Sequence, residues 1–361
     1  MKAVIIAGGT GTRLRPLTYT TPKPMVPLLG KPFMQHQLAL LRRHGVSDVI
    51  INLHYLPEVI QNYFGDGRDH HLPIRYSLET KPLGTAGAVK LAEEHLGSAP
   101  VVIINGDILT DVDLQDMLAF HLEKKAVATI ALARVADPTA YGLVITDAEG
   151  QVQQFLEKPS RDEVIADTVN AGVYILDPQL LRFIPTGEAY SFERGLFPLL
   201  LQLRERVYGY HTQRYWLDIG SPQKYQQAHT DILQGRLRIP LDAERRTGDI
   251  WVERDVWVDE SAELKGPIYL AKGSRIGKRV SVTEFSVIGP GVVVDDDARV
   301  AQSIVGEGSV IGQGAFIGHS LIGSHCVIGA ASQVPEGLLL GDGSSLACGT
   351  NLNRFSSRLS A

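Results

Sequence analysis

Apolar side chains recur at a six-residue spacing through the C-terminal third of this chain, and few folds are compatible with that spacing. The spacing runs through Val252, Val258, Leu264, Leu270, Ile276, Val282, Ile288, Val294 and Val300, and after one-residue slips through Val305, Ile311 and Ile317 and then Ile322, Ile328, Val334 and Leu340. This period matches neither an α-helix nor simple strand alternation. It is typical of a parallel β-helix, in which each short face contributes one inward residue. Glycines that directly follow some of these residues, such as Gly289 and Gly329, suit corners where a Cβ atom would be obstructed.

We therefore predict a β-helix over residues 250–345, preceded by a linker at 236–249 and followed by a C-terminal tail at 346–361. A β-sandwich is the alternative, but it would need polar turn clusters at wider spacing. The three adjacent aspartates at 295–297 alternate in direction on such a fold. We expect them to form a solvated corner rather than a cation site.

The segment 1–235 has a different pattern, in which short β-branched runs alternate with amphipathic stretches. The predicted strands are Ala3–Ala7, Asp48–Leu53, Val101–Asn105, Ala126–Ala133 and Gly172–Leu176, and the predicted helices are Met34–His44, Thr85–Glu94 and Leu114–Lys124. This alternation indicates an α/β, Rossmann-like domain with a mostly parallel sheet. Ligands of such sheets bind at the carboxyl ends of the strands, where Gly8-Gly9 and Gly106-Asp107 fall.

The composition argues against several classes of partner. A net charge of −5 disfavours a nucleic-acid surface or an anionic membrane, so an anionic substrate must be held by local basic groups. No run approaches the ~20 apolar residues of a membrane span. The two cysteines, Cys326 and Cys348, have no CxxC spacing, which favours a reduced, cytoplasmic setting.

The densest local signal is a glycine-rich run directly after the first predicted strand. Its glycines and the nearby cations are Gly8, Gly9, Gly11, Arg13 and Lys23. Such glycines let backbone N–H groups approach phosphate oxygens, and the two cations can neutralise a triphosphate. The Gly-Lys-Ser/Thr run of a P-loop is absent, and Leu14 stands where a dinucleotide fingerprint needs its third glycine. A tight turn with solvated arginines is the alternative.

An ordered series of short motifs gives this run a more specific meaning. The series comprises Gly8–Thr18, Pro22–Met25, Lys31-Pro32, Leu83–Ala88, Asn105–Asp107, Tyr141-Gly142, Glu157–Pro159, Asn170–Gly172 and Trp216–Gly220. It closely resembles the sugar nucleotidyltransferases, which join a nucleoside triphosphate to a sugar 1-phosphate and release pyrophosphate. The resemblance covers residues 1–235 and implies that they form the nucleotidyltransferase catalytic domain. It also implies that the β-helix is left-handed, as it often is in this family.

The resemblance assigns roles to individual residues. The implied catalytic residues are Arg13, Lys23, Asp107, Lys158 and Asp218. The implied nucleotide-binding residues are Ala7, Gly8, Gly9, Gly11, Thr12, Arg13, Lys23, Glu79, Gly84 and Thr85. The implied sugar-phosphate-binding residues are Gly142, Glu157, Lys158 and Asn170. Asp107 and Asp218 would bind Mg²⁺, which accepts substrate oxygens into its octahedral shell; the alternative is that they form turns or, for Asp218, a helix N-cap.

Substrate identity and other functions stay open at this point. The motifs are most similar to those of mannose-1-phosphate guanylyltransferases, but glucose-1-phosphate thymidylyl- and uridylyltransferases share most of them. An acyltransferase with His319 or His325 as general base is one alternative, because β-helices of this kind also serve acyl transfer. A regulatory subunit that binds a nucleotide sugar without turnover is another. We expect the β-helix to form homo-oligomers, since stacked coils offer flat edges for association.

Overall fold

Residues 1–352 are described by a computed structural model, in which the chain divides into two units. The first unit comprises residues 1–10, 22–24 and 34–218, and the second comprises residues 11–21, 25–33 and those from 219 onward. The short segment Gly11–Thr21 therefore groups with the C-terminal part of the chain. The domain boundary at residue 235 remains a prediction. The helix that precedes it, Pro222–Leu233, groups with the second unit.

The first unit is built on one mixed sheet with helices between its strands. The strands up to residue 218 are β1 (Lys2–Ile6), β2 (Pro27–Leu28), β3 (Lys31–Pro32), β4 (Asp48–Leu53), β5 (Ile74–Leu78), β6 (Val101–Asn105), β7 (Ile108–Thr110), β8 (Ala128–Arg134), β9 (Gly142–Thr146), β10 (Val152–Glu157), β11 (Thr168–Leu176), β12 (Val207–His211) and β13 (Trp216–Asp218). The α-helices are α1 (Phe33–Arg43), α2 (Pro57–Phe64), α3 (Gly84–Leu91), α4 (Leu114–Glu123), α5 (Phe197–Gln202) and α6 (Pro222–Leu233). Of these elements, β2, β3 and α6 belong to the second unit. Shorter 3₁₀ turns occupy Thr12–Leu14, Lys23–Met25, Arg68–His70, Glu93–His95, Pro138–Ala140, Arg161–Glu163 and Pro178–Phe183, and a π-helical turn occupies Phe192–Leu196.

The main sheet runs in the order β10-β9-β11-β6-β1-β4-β5, and β8 joins β11 to β12. The strands β6, β1, β4 and β5 pair in parallel, as the sequence predicts. The long strand β11 adds antiparallel pairs with β6, β8 and β9. Because β1 and β6 are parallel neighbours, the segments that follow Ile6 and Asn105 lie together at one edge of the sheet.

A buried aromatic group supports the sheet next to β11. Tyr174, Phe192 and Phe197 are fully buried, and their ring centroids lie 5.4–5.6 Å apart. Such pairs stabilise a core by about 0.5–1.5 kcal/mol beyond the area that they bury. The packing fixes the position of the Tyr174 side chain within the first unit.

The second unit contains the predicted β-helix. Its strands are β14 (Glu244–Arg246), β15 (Ile250–Val252), β16 (Trp257–Val258), β17 (Glu263–Leu264), β18 (Ile268–Leu270), β19 (Arg275–Ile276), β20 (Ser281–Val282), β21 (Val287–Ile288), β22 (Val293–Val294), β23 (Arg299–Ala301), β24 (Ile304–Val305), β25 (Val310–Ile311), β26 (Phe316–Gly318), β27 (Leu321–Ile322), β28 (Val327–Ile328), β29 (Gln333–Val334), β30 (Leu339–Leu340) and β31 (Ser345–Leu346). From β18 onward, each strand pairs in parallel with the strand three places before it in the chain, so that β18 stacks on β15 and β19 on β16. The apolar residues at the six-residue spacing form one core, which confirms the prediction.

The two slips in the sequence spacing are shortened corners of the β-helix. Tyr269 pairs with Val287 and Val287 pairs with Ile304, so the second of these coils is shorter than the first by a single residue. The shortened corners contain Gln302 and His319, whose φ angles of 48° and 43° fall in the left-handed region. Several full-length corners also contain a left-handed residue, so a shortened corner keeps the same kind of turn, and the next apolar side chain stays inside.

Close stacking explains the corner glycines. A Cβ atom on Gly289 would lie 2.6 Å from the Val305 carbonyl oxygen, and one on Gly329 would lie 2.4 Å from the Cys348 nitrogen. The regular structure continues past the predicted end at 345, because β31 ends at Leu346 and Asn351 still bridges to Gln333. The remainder of the predicted tail, from residue 353, lies outside the described residues. None of the helices within residues 1–352 has the length and apolar character needed to cross a bilayer.

Candidate active site

The glycine turn after β1 forms one wall of a cavity of about 310 Å³. The turn is held at the sheet edge because the Ala7 N–H donates to the Asn52 carbonyl at 2.9 Å, while Gly106 N–H donates to the Ile6 carbonyl at 2.8 Å. The cavity brings together seven of the predicted nucleotide-binding residues: Ala7, Gly8, Gly9, Lys23, Glu79, Gly84 and Thr85. Asp107 and Asn105 also line it.

A cation and a carboxylate meet inside this cavity. Lys23 Nζ lies 2.5 Å from Asp107 Oδ2, and both side chains are largely buried, with exposed fractions of 13% and 30%. A charge-assisted pair of this kind is short and strong, because each group is ionised and water is partly excluded. The pair shows that the end of β6 presents a carboxylate that already binds a positive charge.

The second predicted metal ligand is placed next to the first by strand pairing. Strands β13 and β7 are antiparallel, and Asp218 pairs with Ile108, the residue that follows Asp107. The backbones of the two aspartates are therefore close. No cluster of three or more histidine, cysteine or acidic side chains with metal-binding geometry occurs in residues 1–352.

Glu79 shapes the turn before α3. Its Oε2 accepts a hydrogen bond from the Leu83 N–H at 2.7 Å, and burial raises the pKa of its carboxyl while this hydrogen bond lowers it. Gly84 follows with a φ of 70°, and a Cβ atom there would lie 2.8 Å from the Tyr190 carbonyl oxygen. Glycine is needed at this position for both its backbone angle and the close approach.

Three of the four predicted sugar-phosphate residues lie on neighbouring strands of the same sheet, and the fourth, Lys158, directly follows β10. Gly142 on β9 pairs with Glu157 on β10, and β11 carries Asn170. Lys158 has a φ of 53°, an uncommon left-handed conformation for a long side chain, and its N–H donates to the Tyr141 carbonyl at 2.9 Å. Burial raises the pKa of Glu157, and the charge of the nearby Glu193 adds to that rise.

A β-bulge places Asn170 and the tryptophan of the last motif. The register between β11 and β8 shifts between Asn170 and Tyr174, and Gly172 within this bulge has a φ of 67°. The freed Ala171 carbonyl accepts a hydrogen bond from Trp216 Nε1 at 2.8 Å. Bulges of this kind are common next to active sites, where they redirect side chains.

A buried hydrogen-bond network joins the two predicted binding regions. Thr85 Oγ1 donates to Glu193 Oε2 at 2.8 Å, and Tyr174 Oη donates to Glu193 Oε1 at 3.1 Å. Asn170 Nδ2 in turn donates to Tyr174 Oη at 2.8 Å, and a further side-chain hydrogen bond joins Tyr174 to Asn105. We call these five residues the Tyr174 network. It connects the nucleotide-side turn, the β6 end and the sugar side.

Three members of the network, Tyr174, Glu193 and Asn105, are not among the functional residues that the sequence predicts. Asn105 belongs to a quoted motif, but Tyr174 lies in an apolar strand and looks like a core residue. Glu193 follows Ser191, whose hydroxyl caps the next turn by accepting the Glu193 N–H at 3.1 Å. No local spacing marked Glu193, because a capping box needs its glutamate three residues after the serine, where Arg194 stands.

The remaining predicted residues lie in the second unit. Gly11, Thr12 and Arg13 belong to the segment Gly11–Thr21, so their roles stay a prediction. His319 lies at a shortened corner with its ring 3.9 Å from Glu336. Asp297 pairs with Arg279 at 2.7 Å.

The fold and the first-unit cavity define a class of protein. An α/β sheet presents a glycine turn, a lysine–aspartate pair and a second aspartate at the ends of its strands, which suits transfer of a nucleotidyl group. Residues 2–235 match the nucleotidyl transferase family, and residues 264–355 match the GMPPB C-terminal domain. The chain belongs to the nucleotidyl transferase family.

Several named proteins are similar to this chain over most of its length. It is 36% identical over 324 residues to UTP–glucose-1-phosphate uridylyltransferase of Synechocystis sp., a match that covers 85% of this chain and 83% of that protein. It is 36% identical over 304 residues to mannose-1-phosphate guanylyltransferase of Mycobacterium tuberculosis, covering 84% and 82%. Among solved structures, HddC from Yersinia pseudotuberculosis complexed with GMP-PN is similar, with a TM-score of 0.54, 30% identity, and coverage of 63% of this chain and 97% of that one.

Proposed function

We propose that this enzyme transfers a guanylyl group from GTP to mannose 1-phosphate, giving GDP-mannose and pyrophosphate. The observation that carries nucleotidyl transfer is the Lys23–Asp107 pair inside the cavity behind the glycine turn. The choice of GTP and mannose is supported by the mannose-1-phosphate guanylyltransferase relative, by the match to the GMPPB C-terminal domain and by the HddC complex.

The reaction needs two anions to approach each other. A phosphate oxygen of the sugar 1-phosphate attacks the α-phosphorus, and the bond from that phosphorus to the bridging oxygen breaks, so pyrophosphate leaves with the bonding electrons. The protein's main tasks are positioning and charge neutralisation. We assign the triphosphate to Lys23, Arg13 and the glycine turn, and the phosphate of the sugar to Lys158.

We assign the sugar itself to Glu157 and to Asn170, which belongs to the Tyr174 network. Glu157 and Asn170 have oxygen acceptors suited to sugar hydroxyls, and Gly142 leaves space beside them. A Cβ atom at residue 142 would lie 3.0 Å from Glu157 Oε2 and 2.7 Å from the Phe155 ring. A larger residue there would displace the carboxylate that is to bind the sugar.

The donor set of the site fits a divalent cation. Asp107 already binds a positive charge, the Lys23 ammonium, and Asp218 pairs with the residue next to Asp107. A pair of carboxylates suits Mg²⁺, because this ion keeps waters and takes up substrate oxygens. Mg²⁺ bound by Asp107 and Asp218 would neutralise the phosphate oxygens of the substrates.

Pyrophosphate release tests the proposal. GTP, dTTP, UTP, ATP and CTP are each combined with mannose, glucose and N-acetylglucosamine 1-phosphates in the presence of Mg²⁺. We expect the highest kcat/KM with GTP and mannose 1-phosphate. Highest activity with UTP and glucose 1-phosphate would favour the second candidate, which the uridylyltransferase relative supports. No release in any combination, from folded protein, would favour a regulatory subunit instead.

We also propose that the enzyme is a cytoplasmic homo-oligomer that associates through its β-helix. Cys326 and Cys348 are both free thiols, which suits a reducing compartment. The side chain of Trp257 on an outer face of the β-helix is 53% exposed, and that of Val327 on the same face is 47% exposed. Light scattering at several protein concentrations tests this association, and a monomer at all concentrations would contradict it.

A further inference from the structure

A contact between the last coil of the β-helix and the segment Gly11–Thr21 has no role in the function proposed so far. We call this segment the arginine loop, because it contains Arg13. The loop and the coil belong to the same unit although they come from opposite ends of the chain. The contact is specific: Thr20 Oγ1 donates to Asp342 Oδ2 at 2.8 Å, and Thr21 Oγ1 lies 3.4 Å from the same oxygen.

The neighbouring residue of the coil adds a packing contact. A Cβ atom on Gly341 would lie 3.0 Å from Pro16 Cβ, so the coil and the loop approach as closely as glycine allows. The other carboxylate oxygen of Asp342, Oδ1, accepts the Ser324 N–H at 2.8 Å on the preceding coil. Asp342 is therefore fixed on the β-helix and presents its second oxygen to the loop.

Hydrogen bonds within the arginine loop connect its two ends, so we expect a contact at one end to restrict the conformation of the other. Thr18 is fully buried, and its hydroxyl donates to the Gly11 carbonyl at 2.8 Å. The N–H groups of Leu14 and Arg15 donate to the Gly11 and Thr12 carbonyls at 3.0 and 3.2 Å. The backbone of Arg13 belongs to this hydrogen-bonded turn, and its side chain is exposed.

We propose that Asp342 is a positioning residue for nucleotide binding, which acts through Thr20 and the arginine loop to orient Arg13. The last coil of the β-helix then supports the segment of its own unit that carries Arg13. This inference rests on the proposed function for the role of Arg13 in binding the triphosphate. Asp342 does not contact the reacting atoms, so its loss should weaken nucleotide use without abolishing turnover.

The chain offers a matched control. Asp296 occupies the same place in its coil, since it follows the inward Val294 as Asp342 follows the inward Leu340, and its Oδ1 accepts the Lys278 N–H at 2.8 Å. Asp342 and Asp296 thus make the same contact within the β-helix, but Asp342 alone of these two also binds the arginine loop. Comparing Asp342→Ala with Asp296→Ala separates the contact with the loop from the contact within the helix.

The kinetic test measures kcat and KM for both substrates in the full-length variants. We expect Asp342→Ala to lower kcat/KM for the nucleoside triphosphate about tenfold, the effect of losing one or two hydrogen bonds to a charged group, with little change in KM for the sugar 1-phosphate. Asp296→Ala should stay within about twofold of the unaltered protein. The double variant Thr20→Val/Thr21→Val should reproduce the loss, and adding Asp342→Ala to it should cause no further loss, because both changes break the same contact.

A second measurement is independent of turnover. Hydrogen exchange of the Leu14, Arg15 and Leu17 amides should be faster in Asp342→Ala than in Asp296→Ala. If the unaltered protein releases no pyrophosphate, the proposed function fails while the exchange rates still test the hold on the loop. Equal exchange in the two variants, or nucleotide kinetics that are alike in both, would overturn the positioning role.

Discussion

The substitution Tyr174→Phe removes a single oxygen atom from the Tyr174 network. We expect it to lower both the stability of the first unit and its affinity for the sugar 1-phosphate. The Tyr174 hydroxyl is fully buried, donates to Glu193 at 3.1 Å and accepts from Asn170 at 2.8 Å. Burial, reinforced by the charge of Glu193, raises the pKa of this phenol well above its usual value. The hydroxyl is therefore neutral, and a hydrogen-bond donor, at neutral pH.

The magnitude follows from the hydrogen bonds that are lost. A hydrogen bond to a charged group contributes about 1.5–3 kcal/mol, and a buried polar group left without its partner costs about 1–3 kcal/mol. Phenylalanine keeps the ring contacts with Phe192 and Phe197. We expect Tyr174→Phe to lower the free energy of unfolding of the first unit by about 2–4 kcal/mol.

The same substitution should raise KM for the sugar 1-phosphate. Asn170 loses one of the two partners that orient its amide and keeps only the Gly172 N–H. Weakening one hydrogen bond to a sugar hydroxyl by about 1 kcal/mol corresponds to a roughly fivefold change in affinity. Urea unfolding followed by hydrogen exchange in the first unit measures the stability, and initial rates measure KM. Tyr76→Phe is the control, because that hydroxyl donates to the Gly65 carbonyl at 2.7 Å, away from the site.

If Tyr174→Phe unfolds and binds its substrates like the unaltered protein, the Tyr174 hydroxyl has neither a structural nor a binding role. Loss of stability with unchanged KM would show that the network is structural only. In either case, the assignment of the network as a link between the two binding regions would have to be abandoned.

Three further predictions concern the cation, the sugar and the β-helix core. Asp107→Asn should reduce turnover by at least about a hundredfold at unchanged folding, because one carboxylate ligand of the cation that would neutralise phosphate charge is lost; activity near normal would contradict the metal assignment. Glu157 binds a proton at higher pH than an ordinary glutamate, since burial raises its pKa; KM for the sugar 1-phosphate should therefore rise as pH falls through that raised pKa, and this acid limb should be absent from the pH profile of Glu157→Gln. Ile311→Ala should lower the free energy of unfolding of the β-helix by about 2–5 kcal/mol, because Ile311 is fully buried in its core; a calorimetric transition like that of the unaltered protein would contradict this.

The architecture followed from the sequence wherever a periodic pattern had one structural solution. The six-residue spacing identified the β-helix, including both slips, because each inward position must be apolar. Strands β4 and β6 were predicted with their observed limits, since each is a β-branched run bounded by polar or turn-forming residues. Antiparallel pairing of β11 was not predicted, because a buried apolar strand reads the same in either direction.

The sequence predicted individual residues of the site, but it did not predict the hydrogen bonds that join them. Lys23 and Asp107 were recognised by their motifs, and the structure places them in one ion pair. The grouping of Gly11–Thr21 with the β-helix could not be predicted, because no local pattern encodes a hydrogen bond between Thr20 and Asp342. Tyr174 was missed for a related reason: its hydroxyl gains a role only from side chains that the fold brings to it.

The separation of 322 residues between Thr20 and Asp342 has a consequence for how the protein is made. Domains fold during synthesis from the N-terminus, so the main sheet can form while the β-helix is still being translated. The arginine loop, although among the first residues to leave the ribosome, acquires its partner only when nearly the whole chain has emerged. A nascent chain that stops before Gly341 would keep its sheet but leave the loop without this hydrogen bond, which hydrogen exchange on a stalled chain can measure. Completion of the polypeptide is thereby coupled to completion of the loop.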